Sequence, residues 1–420
     1  MVTDMTNTRH SRVLEDSARC YSRFMLRQDR MTSIDLFAGA GGLTEGLKEA
    51  GFVSLYANEV IPQFATTFQQ NHPGVEVDAR DIRQVEADGV RAHLSLERGE
   101  LDLLAGGPPC QGFSIYAPKR SSDDYRNHLF LEYLRFVREF FPKVVLIENV
   151  PGLISFEKGA TLEAIFIALS EIGYSPDVRV LYAPHFGVPQ MRWRTIIIAT
   201  RDSPVPASIF PTPTRVAPRR VNFTSMWNGK KLIQSAPADL PTHTTIREAI
   251  GDLPILKSGE SYEDLGPYMV DPQNDYQARL RTGSPGVRNH EAPRLSKKNL
   301  ERFAYIPVGG NWTDIPHHLL PEGMKRARRS DHTKRYGRPD PEGLSSTILT
   351  KCDPHWGAFI HYNQQRSFTV REAARLQSFP DSYTFRGSRV DQYTQVGNAV
   401  PIMLAEAVGR SIRHYLESAR

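Results

Sequence analysis

From Met31 onward, strand-sized apolar runs alternate with stretches of helical period, and this alternation leaves the chain few architectures. Ser33–Phe37 reads as a buried strand that leads through a glycine-rich turn into a helix running to Ala50. Further strands are predicted at Phe52–Ala57, Leu101–Ala105, Val144–Glu148 and Thr195–Ala199, with helices at Leu129–Phe141 and Thr161–Ile172. Such interleaving predicts an α/β fold with a doubly wound, mostly parallel sheet, whose ligands sit at the carboxyl ends of the strands. Thr369–Phe379 reads as a capped helix stopped at Pro380, and Val400–Ser418 as a long terminal helix. With 420 residues the chain has room for two domains, or for one large domain with an insertion.

Charge and proline divide the chain. Residues 201–350 hold 22 Lys+Arg against 16 Asp+Glu, so the rest has 52 − 22 = 30 against 47 − 16 = 31, close to neutral. The same stretch carries 17 of the 30 prolines. It reads either as a solvated, loop-rich surface or as a separate module facing phosphates. No apolar run approaches the roughly 18 residues of a membrane span, since Thr195–Thr200 is only strand-sized. Residues 1–30 are polar and aperiodic, without the apolar core of a secretory signal, and read as an N-terminal extension. Cys20, Cys110 and Cys352 are odd in number and widely spaced, which argues against a disulfide framework or a zinc site and for a reducing cytoplasm.

Two stretches carry chemistry. Asp35-Leu36-Phe37-Ala38-Gly39-Ala40-Gly41-Gly42 runs from strand to glycine turn to helix, letting backbone approach a ligand closely. Glu59 follows Gly39 by 20 residues, where an acid can accept from both ribose hydroxyls, and Asp81 is a third acidic stop at a strand end. The full G-x-G-x-x-G spacing is missing, which disfavours a nicotinamide dinucleotide and leaves other adenosyl ligands open, beside the reading as an ordinary βα turn. At the second stretch, Pro108 and Pro109 present Cys110 on a stiff loop after the Leu101–Ala105 strand. A thiol there needs nearby positive charge or a base to act as a nucleophile. Cys20 and Cys352 read instead as small buried hydrophobes. Glu148 ends the next strand, as a general acid or a mere strand cap. In Gln190-Met191-Arg192-Trp193-Arg194, alternation puts Arg192 and Arg194 on one face, ready for a ligand or for an ion pair with an acid such as Glu148.

Taken in order, DLFAGAGG, GGPPCQGFS, ENV with Glu148, QMRWR, REAARLQSFPD and QVGNAVP resemble the DNA (cytosine-5)-methyltransferase family, over about Met31–Thr200 and Ser346–Ala405. The resemblance implies a Rossmann-like S-adenosylmethionine-dependent methyltransferase sheet with a smaller, irregular target-recognition domain. The expected organisation is a catalytic domain at 31–204, target recognition at 205–345, and a return to the catalytic domain at 346–420. It further implies Cys110 as covalent nucleophile on cytosine C6, Glu148 at N3, Arg192 and Arg194 near O2 and phosphate, and Gln111 beside the flipped base. Phe37, Gly39, Gly41, Leu43, Glu59, Val60, Asp81, Ile82, Pro109, Asn398 and Val400 would line the cofactor pocket. The loop Ser114–Asn127, with Lys119, Arg120 and Arg126, looks like a lid over the base. Thr347-Ile348 resembles the family's Thr-Leu pair, with isoleucine replacing leucine.

Double-stranded DNA is the implied partner, S-adenosylhomocysteine the product, and no metal is implied. The same resemblance implies a monomer in the cytoplasm, at the nucleoid, acting alone or beside a separate restriction endonuclease. Arg288–His290, Lys325–Arg329 and Lys334–Arg338 are candidate DNA contacts or plain surface charge, and Asn311-Trp312 either packs or enters DNA. Two other readings are tRNA methylation, disfavoured by the long basic middle, and a DNA-binding regulator with a decayed centre, disfavoured by the intact motifs.

Overall fold

A computed structural model of the chain describes residues 30–109, 126–262 and 265–419, without the side chains of residues 126–128. Strands β1 (Thr32–Leu36), β2 (Val53–Asn58), β3 (Glu76–Asp78), β4 (Leu103–Gly106), β5 (Val144–Asn149), β6 (Tyr174–Tyr182) and β7 (Trp193–Arg201) form one sheet in the order β3-β2-β1-β4-β5-β7-β6. Neighbours from β3 to β5 run parallel, whereas β7 is antiparallel to both β5 and β6. The expectation of a mostly parallel sheet therefore holds, with β7 as the antiparallel strand near one edge. Sequence reading missed β6 because Pro176, Asp177 and Arg179 interrupt its apolar pattern, as an edge strand tolerates.

Period-2 alternation sends each strand into two cores. Leu104, Val145 and Ile147 face one layer with α4 (Arg126–Phe140) and α5 (Ala160–Glu171). Leu103, Val144 and Leu146 face the other, with α1 (Gly42–Glu49) and α11 (Ile402–Ser418). Two shorter helices, α2 (Pro62–Asn71) and α3 (Ala87–His93), complete the β2–β4 connections. Helix α11 begins two residues later than expected. Pro401 is its N-cap and disfavours a helical Val400, so Ala399 and Val400 form a short non-helical link from the end of the preceding helix at Asn398.

The expected module at 205–345 is shared among several cores. Ile209 and Phe210 join one face of the sheet and Leu232 and Ile233 the other, where Val180 N donates to Leu232 O at 2.9 Å. Nearby, β8 (Met226–Trp227) and β9 (Lys230–Lys231) form a small hairpin. Helices α6 (Ile246–Ile250) and α7 (Asp275–Arg281) pack with α9 (Val370–Leu376) and α10 (Arg389–Asn398) in a third core. A fourth core gathers α8 (Lys297–Ala304) with residues up to Tyr336, through Phe303, Ile306, Trp312, Leu319 and Met324. A charge count cannot see this division, because the apolar residues that make it are spread thinly among the prolines.

Candidate active site

The strand order reverses between β1 and β4, and crevices for ligands form at such switch points, outside the carboxyl ends of the strands. A cavity of about 510 Å³ lies there. Its walls include Phe37, Gly39, Leu43, Glu59, Val60, Asp81, Ile82, Pro109, Asn398 and Val400, ten of the eleven residues expected at the cofactor. Gly41 stands behind the wall, against Tyr383 and His72.

Local backbone explains the turn. Phe37, Gly39 and Gly41 all have positive φ, which swings the chain from β1 across the strand ends into α1. Glu59 clamps the turn, its two carboxylate oxygens accepting from Gly39 N and Ile61 N, each at 2.8 Å. Both oxygens keep a lone pair for a ligand, and burial raises the carboxyl above its ordinary range. Asp81 caps a short turn rather than ending a strand, and Arg83 holds its carboxylate below the usual range.

Sequence reading gave Asp35 no role, yet it occupies the floor of the cavity. Its Oδ2 accepts from Thr44 Oγ1 at 2.6 Å, while Oδ1 is buried without a partner among the described residues. Burial, with Glu59 and Glu148 adding repulsion, pushes its carboxyl up to about 7. An acid ending a fully buried strand was the available signal.

The reacting side of the cavity is built from β4 and β5. Gly106 ends β4 where a Cβ would lie 2.5 Å from Leu36 O, so only glycine fits against β1. Beyond it Asn149 Nδ2 donates to Pro108 O at 3.1 Å, fastening the proline loop to the end of β5. Glu148 lines the same cavity and lies close to Gly107. It forms an ion pair with buried Arg194 on β7, as the ion-pair alternative anticipated, yet its Oε1 and Arg194 Nε make no aligned hydrogen bond among the described residues. The charges face each other with bonding capacity left over. Cys110, Gln111, Ser114, Lys119, Arg120 and the side chain of Arg126 lie outside the described residues.

Other expected positions separate. Arg192 does not share the ligand face with Arg194. It is fully buried, donating to Ile348 O at 3.1 Å, Gly397 O at 2.7 Å and Ala399 O at 3.0 Å. It therefore braces the Asn398 segment. Thr347 Oγ1 donates to Met191 O at 2.6 Å and Gln190 Oε1 accepts from Ile348 N at 2.8 Å, which lays the Thr-Ile pair along QMRWR. Arg288 lines a separate cavity of about 320 Å³ with Arg386 and Arg389, away from Glu148. Trp312 packs, with Nε1 donating to Asp331 O at 3.0 Å. Of the basic runs, Arg326, Arg328, Arg329 and Lys334 are exposed, whereas Arg338 is buried and donates to backbone carbonyls such as Ile306 O.

A family model described as C-5 cytosine-specific DNA methylase matches residues 31–414. The type II methyltransferase M.AgeI of Thalassovita gelatinovora is 33% identical, the match covering 91% of this chain and 99% of that one. The type II methyltransferase M.DdeI of Desulfomicrobium norvegicum is 35% identical, with 92% and 90% covered. A crystal structure described as a DNA modification methyltransferase encoded within an E. coli prophage shares the fold, with a TM-score of 0.69 at 24% identity over 92% of this chain and 99% of that one. The chain belongs to the C-5 cytosine-specific DNA methylase family.

Proposed function

We propose that this protein transfers a methyl group from S-adenosylmethionine to carbon 5 of a cytosine flipped out of a specific duplex DNA sequence. The observation that carries the reading is one cavity holding a nucleoside-type cradle at one end and, at the other, Glu148, itself paired with Arg194, beside the root of the Cys110 loop. The cradle suits this cofactor. Glu59 keeps lone pairs for a ribose, and Asp35 offers an unpartnered buried oxygen to a cationic ligand.

When bound, the cofactor supplies an electrophilic methyl group on a sulfonium sulfur. Cytosine C5 is too weak a nucleophile to take it unaided. Addition of the Cys110 thiolate to C6, with Glu148 giving a proton to N3, turns C5 into an enamine-type carbon that accepts the methyl. Loss of the C5 proton then expels Cys110 from C6, and Glu148 recovers the proton from N3. Arg194 holds Glu148 and faces the O2 side, while Arg192 fixes the segment carrying Asn398. Extruding the base costs roughly a few kcal/mol, offset by contacts from the lid and from the basic lobe around Arg326–Arg329.

The protein acts as a monomer in the cytoplasm, alone or beside a separately acting restriction endonuclease. No described helix is long and apolar enough to cross a membrane. Incubation with tritiated S-adenosylmethionine and unmethylated genomic DNA, followed by bisulfite sequencing, tests the reading. Protected cytosines at one short motif are expected, together with a covalent adduct on a 5-fluorocytosine duplex that Cys110→Ala loses. Label entering tRNA and never duplex DNA would overturn it.

A further inference from the structure

The glycine turn of the cofactor cradle rests on two side chains that belong to neither end of the site. Tyr383, from the C-terminal return, is buried, and its hydroxyl donates to Ala40 O. His72, at the C-cap of α2, places Nε2 3.1 Å from the same hydroxyl. The phenol has one proton and spends it on Ala40, so its oxygen accepts from His72 Nε2. Behind the imidazole, Nδ1 lies 3.6 Å from the buried carboxylate of Glu45 on α1. Burial pulls His72 down to about 4, so the ring is neutral at physiological pH. Phe68 and Phe379 pack the two rings from either side.

This chain of groups meets the backbone at its most pliable point. Gly41 has φ +91°, and a Cβ there would lie 2.6 Å from Tyr383 Oη and 2.8 Å from His72 Nε2. A peptide next to glycine reorients easily. The Ala40 carbonyl therefore has two possible destinations, outward to the phenol or inward toward the cavity. On the side of the phenol its neighbourhood is a packed core, and Ala40 itself is 3% exposed. Without the phenol this carbonyl would be buried and unpartnered, a cost that favours turning it.

We propose that Tyr383 and His72 are positioning residues that lock the Ala40–Gly41 peptide outward and so keep the cofactor cradle in its binding shape. They touch neither cofactor nor cytosine, and they act on cofactor affinity rather than on the methyl-transfer step. The inference rests on the cofactor reading above.

Calorimetric binding of S-adenosylhomocysteine to the full chain tests it. Tyr383→Phe keeps the ring and deletes one hydroxyl. It is expected to weaken binding roughly three- to tenfold, the range of one buried hydrogen bond, with kcat at saturating S-adenosylmethionine within about twofold of the parent. His72→Leu, which leaves the phenol on Ala40, is expected to have a smaller effect in the same direction. Tyr276→Phe is the control, because that phenol is buried in the same core but donates to Arg375 O and not to the turn. The control is expected to lower the melting temperature comparably and leave the dissociation constant unchanged. Parental affinity in Tyr383→Phe, or equal weakening in Tyr276→Phe, overturns the inference while the cofactor reading stands. If the parent chain binds no S-adenosylhomocysteine, the cofactor reading falls and this inference with it.

Discussion

Two assemblies of buried charge, one around α9 and one at the ends of β1, β4 and β5, follow opposite rules. Around α9 the charged side chains are saturated, although among the described residues Ser367 Oγ and Gln377 Oε1 beside them are not. Arg366 grips both oxygens of Glu372 at 2.8 and 2.6 Å, and the same carboxylate closes the cap of the helix through Thr369 N. Arg375 reaches Asp381 at 2.9 and 2.6 Å, Ala249 O at 3.0 Å and Asp252 as well, while Tyr268 donates to Asp381 at 2.6 Å. At the strand ends, by contrast, and among the described residues, Asp35 Oδ1 is buried without a hydrogen-bond partner, and Glu148 faces the cavity with the ion pair to Arg194 as its one charged contact there. Buried charge is costly either way. Where every charged donor and acceptor is used, the charge fastens the 246–290 segment to the C-terminal return. Where capacity is left over, it waits for a ligand.

The largest test of that contrast is Glu148→Gln, which keeps the shape and removes the transferable proton. Methyl transfer to DNA is expected to fall by about 10²- to 10⁴-fold, with the thermal unfolding curve close to that of the parent. A marked loss of stability with little loss of rate would place Glu148 among the structural charges. The mirror experiment is Arg375→Met, which strands Asp252 and Asp381 in a dry core. Breaking a buried charge network of this kind costs about 3–5 kcal/mol, read by chemical denaturation. An unchanged denaturation midpoint would mean that the α9 assembly fastens nothing.

The site was more legible in the sequence than the lobes around it, for a physical reason. A glycine turn, a proline loop and an acid at a strand end must be contiguous to work, so Gly39, Pro109, Glu59 and Glu148 declared themselves. Asp35 and Tyr383 did not. Asp35 counted only as part of a motif, and Tyr383 acts on a carbonyl 343 residues away, a distance that no local pattern encodes. Arg192 and Arg194 looked alike by alternation, yet the carbonyls of Ile348, Gly397 and Ala399 claim the first and Glu148 the second. The middle stretch was legible as basic and proline-rich but not in its division, because burying Trp312 and Arg338 while exposing Arg328 depends on packing between distant segments.

Asp35 gives the smallest and sharpest comparison, since one carboxyl should act on affinity and stability in opposite senses. Its folded carboxyl lies near 7 against an ordinary 3.8. Between those values the folded chain holds a proton that the unfolded chain has released. Its contribution to stability is therefore complete below about pH 3.8 and lost as pH rises through 7. A cationic cofactor prefers the ionised form, so binding expels the proton, and affinity should fall by up to about tenfold for each pH unit below 7. Asp35→Asn is expected to bind S-adenosylmethionine more weakly at pH 8, with an affinity flat between pH 6 and 8, and to unfold at a higher temperature than the parent at pH 8. A parental pH slope in the variant would move the titration to Glu59, whose carboxyl burial also raises. A variant both weaker in binding and less stable at pH 8 would make Asp35 a saturated structural charge, like those of α9.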